Sequence, residues 1–352
     1  MEEETKAIEF LLPAMIGVFS AVLTILLRDV LLPWVNALKS QRQKESDLFE
    51  EYLHPILLGL EALLWRLNEA LRQPGRGAYL HSSAGNSQYV EYKKISTIYR
   101  LCVVIGLFRA FERELLNVRL TDLQGSDHLR DAMKDFQATL ADGKSIEFQK
   151  LDRLADLWAF GKVPEGNRDL AAVRIENEVD KRLGGEKHKG VRSLAGNEQK
   201  ELLGEIYSII NAGFQPFDET RQRDIEQDDR AVEILSMRQT WIYRDWQAAI
   251  GDAMLVADPS GPRKYRVMGF GKFEDLWRGD RPIWLARVGE LFLDFDVSGS
   301  DETDSRRMQL EKLLRTSAEL VSRLLRDDKR LRRAMSGTWE LTEKIALKRD
   351  CA

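Results

Sequence analysis

The chain has 352 residues, of which 43% are hydrophobic and 31% are charged, and its formal net charge is -4. This composition predicts a folded body with a sizeable core, and the near-balanced charge gives no clear nucleic-acid signal. The two cysteines, Cys102 and Cys351, exclude a disulfide framework and a cysteine-based metal site. Their scarcity favours a reducing compartment.

An uncharged run near the N-terminus predicts a single transmembrane helix at 10–27. At about 1.5 Å per residue the run covers roughly 27 Å, close to the ~30 Å hydrocarbon thickness of a bilayer. A signal peptide would need a basic start and a small-residue cleavage site, and neither is present. A buried helix of a soluble protein is the other interpretation. The apolar side chains of the anchor are Phe10, Leu11, Leu12, Ile16, Val18, Phe19, Val22, Leu23, Ile25, Leu26 and Leu27.

Basic residues around this run predict its orientation. One lysine precedes the run, whereas Arg28, Lys39, Arg42 and Lys44 follow it. The positive-inside rule then places the N-terminus outside and the remaining chain in the cytoplasm. The predicted order is a short extracytoplasmic segment at 1–9, the anchor, a juxtamembrane segment at 28–43, a helical cytoplasmic domain at 44–336 and a C-terminal tail at 337–352.

Small residues line one side of the predicted anchor. Gly17 and Ala21 are four residues apart, and so are Ser20 and Thr24. Such a face allows two transmembrane helices to approach closely, so it predicts a homo-oligomer. Small residues are also common in anchors that remain monomeric, and the sequence leaves both interpretations open.

Beyond the anchor, apolar residues recur at helical spacing, which predicts a mainly α-helical fold. Pro55 predicts a boundary or kink in the first helix. The run Leu101–Phe108 is apolar all round and too short for a second span, so it predicts a buried core helix in which Gly106 admits a close neighbour. Helices are predicted at 44–73, 90–120, 129–140, 148–160, 170–183, 199–214, 230–253, 281–295 and 303–335.

Two regions interrupt this helical pattern. Residues 121–228 are more polar, and they are expected to form either a peripheral layer or an insertion on the main core. Two short β-prone runs flank the turn signature at 258–262, which predicts a small β-hairpin near 254–268. An unpaired loop is the alternative for this segment, because a lone hairpin is only marginally stable.

An acidic segment after the eighth predicted helix resembles the start of a calcium loop. Asp294, Asp296, Ser298 and Ser300 alternate as oxygen ligands would, and a glycine follows Ser298. The twelfth position offers Ser305 in place of the bidentate glutamate that such a loop needs. A polar interhelical loop is therefore the favoured interpretation, and no cofactor is expected.

Basic residues crowd the last predicted helix. They complement the dipole at a helix C-terminus, and they also form a candidate surface for an anionic partner such as lipid or nucleic acid. These residues are Arg323, Arg326, Lys329, Arg330, Arg332 and Arg333.

A resemblance is carried by several short segments. They are Thr97–Tyr99, Gly106–Arg109, Glu112–Glu114, Ala249–Met254 and Met268–Phe273. Together they resemble an uncharacterised group of proteins with one N-terminal membrane helix and a helical cytoplasmic body. A Gly-Trp pair is typical of that group where this chain has Gly106-Leu107. The resemblance implies this architecture and no activity, substrate or catalytic residue.

The sequence therefore predicts a single-pass, membrane-anchored helical scaffold or interaction protein, with the bilayer and a further protein as partners. No nucleophile elbow and no phosphate-binding loop occurs. The first alternative is an enzyme or nucleotide-dependent effector whose site is assembled from scattered side chains, and the second is an oligomeric membrane-disrupting effector. A cleft with strongly shifted titratable groups would favour the enzyme, and an exposed apolar groove the scaffold.

Overall fold

A computed structural model of the chain describes residues 32–115, 124–141, 143–160, 162–184, 190–213, 228–261, 263–279, 281–299, 303–326 and 328–347. The predicted anchor at 10–27, with its small-residue face, lies outside these residues. The described chain is mainly α-helical, as the sequence predicts. No helix in the described ranges has the length and apolar character needed to cross a bilayer.

The helices and strands follow one another in a simple order. The helices before the hairpin are α1 (Leu32–Arg72), α2 (Gln88–Leu115), α3 (Gln124–Ala141), α4 (Lys144–Leu157), α5 (Glu165–Leu183), α6 (Gly196–Asn211), α7 (Asp229–Leu235) and α8 (Arg244–Met254). The hairpin strands are β1 (Leu255–Ala257) and β2 (Tyr265–Val267). The helices after it are α9 (Phe270–Arg278), α10 (Ile283–Phe292), α11 (Arg306–Arg326), α12 (Lys329–Ala334) and α13 (Ser336–Leu347).

Helix α2 lies at the centre of the main core. It packs against α1, α8, the hairpin, α9 and α10. Its apolar run Leu101–Phe108 is buried apart from Val103, which is half-buried, and this confirms the prediction of a core helix. An all-round apolar surface needs neighbours on every side, and the surrounding helices supply them.

Glycines allow α2 and α8 to cross at close range. A Cβ atom at Gly106 would lie 2.8 Å from Cβ of Met254, and one at Gly251 would lie 2.6 Å from Cβ of Arg109. Both distances are shorter than carbon atoms tolerate, so larger residues would push the helices apart. Beside the crossing, Arg109 Nε donates to Asp252 Oδ1 at 2.6 Å.

The predicted hairpin is confirmed. Strands β1 and β2 pair antiparallel, with Leu255 opposite Val267 and Ala257 opposite Tyr265. The hairpin does not stand alone, because the Tyr99 hydroxyl of α2 donates to the carbonyl of Met268 at 3.0 Å. Packing on a helix supplies the stability that a two-stranded ribbon lacks.

Helices α4 to α7 build a second core of their own. It is formed by side chains from each of these four helices and by Val191. The buried Lys150 pairs with Glu176 at 2.8 Å, and Gln239 donates to the other oxygen of Glu176 at 2.8 Å. Gln239 belongs to the connector between α7 and α8, so this connector (237–243) contacts both cores.

Three segments differ from the predicted boundaries. Helix α1 begins at Leu32 and passes through Pro55 to Arg72, since one missing N–H donor does not end a helix whose following turns are buried. The helix predicted at 230–253 is divided, because the connector leaves the helical path to pair Arg238 with Asp304. Residues 336–347, expected as tail, form α13, whose apolar side turns Leu341 and Ile345 into the main core.

The glycine crossing generates a prediction on stability. We expect Gly106→Ala to lower the free energy of unfolding by ~1–3 kcal/mol, because the new methyl group overpacks the contact with Met254. Gly271→Ala in α9 is the matched control, since no neighbouring atom lies within 4 Å of its Cβ position. It should be neutral or stabilise by up to ~1 kcal/mol. Urea denaturation followed by circular dichroism measures both, and equal stability of the two variants would contradict the close crossing.

Candidate functional site

The direction of α11 decides which end of the body carries the basic residues. Arg72, the last residue of α1, donates to Glu311 near the start of α11 at 3.0 Å. Helices α1 and α11 therefore run in opposite directions, and at about 1.5 Å per residue Arg326 lies roughly level with Leu57. The C-terminal end of α11 is thus at the end of the body from which α1 continues towards Leu32.

The hairpin turn lies at the same end. The Tyr52 hydroxyl of α1 donates to the Glu114 carboxylate of α2, and the Lys264 backbone N–H donates to the same oxygen at 2.9 Å. The guanidinium of Arg263 lies over the Tyr52 ring, 5.7 Å from its centroid. Burial and the bond to the Glu114 carboxylate both raise the pKa of the Tyr52 hydroxyl. This network joins α1, α2 and the hairpin where the core begins.

The predicted basic residues lie at this end, on the last turn of α11 and on α12, and we call them together the basic surface. Its members are Arg323, Arg326, Lys329, Arg330, Arg332 and Arg333. Five of the six are exposed, and Arg332 is half-buried with its guanidinium 5.2 Å from the Trp339 ring centroid. Asp328 caps α12 by accepting from two backbone N–H groups. None of the six cations forms an ion pair with a carboxylate in the part of the chain that the structure describes.

The first part of α1 extends beyond the core. The first core residue of the helix is Tyr52. The side chains described before it are all exposed, namely Trp34, Val35, Asp47, Glu50 and Glu51. Residues 32–51 thus continue α1 by about 30 Å before its first core residue, and we call this segment the stalk.

The predicted calcium-like loop lies elsewhere, beside the connector between the two cores. Arg238 Nη1 donates to Asp294 Oδ2 at 2.7 Å, and the backbone N–H of Ser82 donates to Asp294 Oδ1. Asp296 accepts from the backbone and hydroxyl of Ser298, while Ser300 lies outside the described residues. The loop is thus held by hydrogen bonds within the protein, and no cluster of three metal-ligating side chains occurs in the described ranges.

Asp294 has an unusual backbone conformation and an unusually low side-chain pKa. Its φ of 50° lies in the left-handed region, which aspartate tolerates better than most residues. Partial burial opposes its charged form, but the hydrogen bonds from Ser82 and Arg238 outweigh that cost and lower the pKa of Asp294 to about 2. The carboxylate is therefore ionised throughout the physiological range and is no proton donor.

Arg306, the first residue of α11, holds the same loop. It is 4% exposed and donates to both carboxylate oxygens of Asp304 and to the carbonyl of Asp294 at 3.0 Å. Two further donors go to the carbonyls of Glu290 and Leu293. All its nitrogen donors are thus used in binding the end of α10 to the start of α11.

The sequence did not predict that Arg238 and Arg306 hold this loop. Both lie far along the chain from a recognisable motif, and an arginine that binds backbone carbonyls has no characteristic spacing. The polar residues between α10 and α11 predicted an interhelical loop. The groups that donate hydrogen bonds to this loop come from the connector and from Ser82, which the sequence did not indicate. The six basic residues, by contrast, stand close together in the sequence, and their binding role stays a prediction.

Comparisons of the chain with models of known protein families, with curated proteins and with solved structures found no match.

The charge of Asp294 generates a prediction on acid stability. Because its folded-state pKa lies below the ordinary value of 3.8, the ionised carboxylate stabilises the fold at neutral pH. Both groups of the pair are about two-fifths exposed, so we expect Asp294→Asn to cost only ~1 kcal/mol at pH 7. Asparagine tolerates the left-handed conformation, so the variant removes the charge and one of the two acceptor oxygens without straining the backbone.

The difference in melting temperature between the native chain and Asp294→Asn should shrink as the pH falls from 3.8 to about 2. Asp131→Asn is the control, because Asp131 pairs only with the exposed Lys134. A gap that stays constant down to the lowest pH would show that the carboxylate does not stabilise the loop.

Proposed function

We propose that this protein is a membrane-anchored scaffold that binds another protein through its basic surface. The predicted transmembrane helix at 10–27 would hold the chain in the bilayer, with the body in the cytoplasm. The observation that carries the proposal is the grouping of six cations, unpaired among the described residues, at the end of the body nearest the stalk. Exposed charges of one sign favour a partner of the opposite sign and speed its association.

Distance favours an acidic protein over lipid as that partner. The stalk covers about 30 Å between the core and the region of the predicted anchor. The field of anionic headgroups decays over ~8 Å at physiological ionic strength. With the stalk upright, the basic surface lies several such lengths from the lipid and within reach of proteins at the membrane.

Apolar side chains beside the basic surface support protein binding. Leu58 and Trp65 lie two turns apart on one face of α1 and are 46% and 41% exposed. Trp65 Nε1 donates to the hydroxyl of Thr338 at 3.0 Å, which places the indole against the start of α13. Tryptophan and arginine are enriched at the centres of protein interfaces, so a partner covering α12 gains from both.

The anchor is tested by membrane fractionation. The full chain should resist carbonate extraction, because an inserted helix leaves the bilayer only with detergent. A variant lacking residues 10–27 should be released, and protease should digest the body only where the cytoplasmic face is accessible. A full chain that is extracted as a soluble monomer would overturn the anchor and favour a core helix at 10–27.

The basic surface is tested by cross-linking on native membranes. We expect Arg326→Gln, Lys329→Gln and Arg330→Gln together to weaken cross-linking to a partner protein roughly tenfold, because each lost charge removes up to ~1 kcal/mol. Raised salt should weaken the native complex in the same way.

The matched control removes three positive charges elsewhere, at the exposed Lys134, Lys144 and Lys181. This variant should cross-link as the native chain does. Equal losses in both variants would indicate a general charge effect and contradict a binding surface at α12, as would cross-links to lipid alone.

A further inference from the structure

A cleft of about 360 Å³ opens beside the connector, away from the basic surface. Arg238, Gln239 and Thr240 of the connector form one wall, and Ala286 and Leu293 of the α10 region form the other. Arg281, which precedes α10, also lines it. The volume lies at the lower end of the range found for small-molecule sites, and apolar and polar groups share the lining.

Two arginines in this cleft keep unused hydrogen-bond donors. Arg238 uses Nη1 on Asp294, and its Nε and Nη2 have no partner among the described residues. Arg281 donates from Nε to the carbonyl of Trp277, and its guanidinium carbon lies 3.9 Å from the Trp277 ring centroid. Both guanidinium groups are thus held in place while their remaining N–H groups stay free, which is the arrangement that binds carboxylates and phosphates.

The other charged side chains of the cleft each have at least one partner within the protein. Arg306 spends its donors on Asp304 and on backbone carbonyls. Glu290 accepts from Arg287 at 2.8 Å, and the Asp294 carboxylate accepts from Arg238 and Ser82. The unused donors of the cleft are therefore N–H groups of Arg238 and Arg281, beside the buried Thr240.

We propose that this cleft binds a small organic anion, with its carboxylate or phosphate on Arg281 and Arg238 and its apolar part against Ala286 and Leu293. Arg281 is the main anion-binding residue, because no described carboxylate forms an ion pair with it. The stacking on Trp277 restrains the guanidinium before the ligand arrives, which reduces the entropy lost on binding.

The connector places this ligand where the two cores are joined. Arg238 would contact the anion, and the next residue, Gln239, donates to Glu176 in the second core. A bound anion would also share Arg238 with Asp294. The proposed ligand therefore contacts the segment that joins the two cores.

The test is calorimetric titration of the full chain in detergent with benzoate, phenyl phosphate and phenol. At least one of the two anions should bind with a Kd below about 10 mM, and uncharged phenol should not. The anion with the lower Kd shows whether the cleft prefers a carboxylate or a phosphate. Arg281→Gln should weaken binding at least tenfold, and Arg281→Lys less, since lysine keeps the charge without the planar fork.

The matched control is Arg278→Gln, which removes a nearby exposed arginine that pairs with Glu274 and Glu91 and does not line the cleft. It should bind the anion as tightly as the native chain. Unchanged melting temperatures show that the variants remain folded. Absence of anion binding, equal binding of phenol, or an equal loss in Arg278→Gln and Arg281→Gln would each overturn the proposal.

Discussion

The crossing of α2 with α8 is the contact on which the rest of the main core depends. Gly106 and Gly251 remove the two side chains that would separate the helices, so each backbone faces Cβ atoms of the other helix. Close packing then buries the apolar run of α2 on all sides. Arg109 and Arg113 both reach Asp252 beside the crossing and fix its orientation with charge. The hairpin follows directly from α8, so its position depends on the same contact.

Arginines serve two purposes in this molecule, and their partners distinguish them. Arg306 is buried and saturated by acceptors, so it holds a turn together. Five of the six cations at the end of α11 and in α12 have exposed side chains, and none of the six has a described ion pair. Burying a charge is tolerated only where acceptors compensate for lost water, whereas an exposed charge remains available to a partner. Arg306 and the cations of the proposed binding surface thus differ in burial.

The sequence predicted most of the helices, the hairpin and the close neighbour at Gly106, because these depend on local periodicity and on turn residues. It did not predict the break between α7 and α8, where pairing of Arg238 with Asp304 overrides a continuous apolar pattern. Nor did it predict the cleft, whose walls come from three separate segments. The residues of the basic surface could be listed because they lie close together in the sequence, but the end of the body on which they lie depends on the direction of α11.

Because the stalk is one continuous helix, its length sets the direction in which the body faces around the helix axis. Each residue inserted between Leu32 and Tyr52 would lengthen the helix by about 1.5 Å and turn the body by about 100° around its axis. With the proposed anchor in the bilayer, one added residue would point the basic surface in a different direction along the plane of the membrane. Seven added residues make nearly two full turns and restore the direction at a height about 10 Å greater. Changes in stalk length should therefore be tolerated mainly in steps close to seven residues.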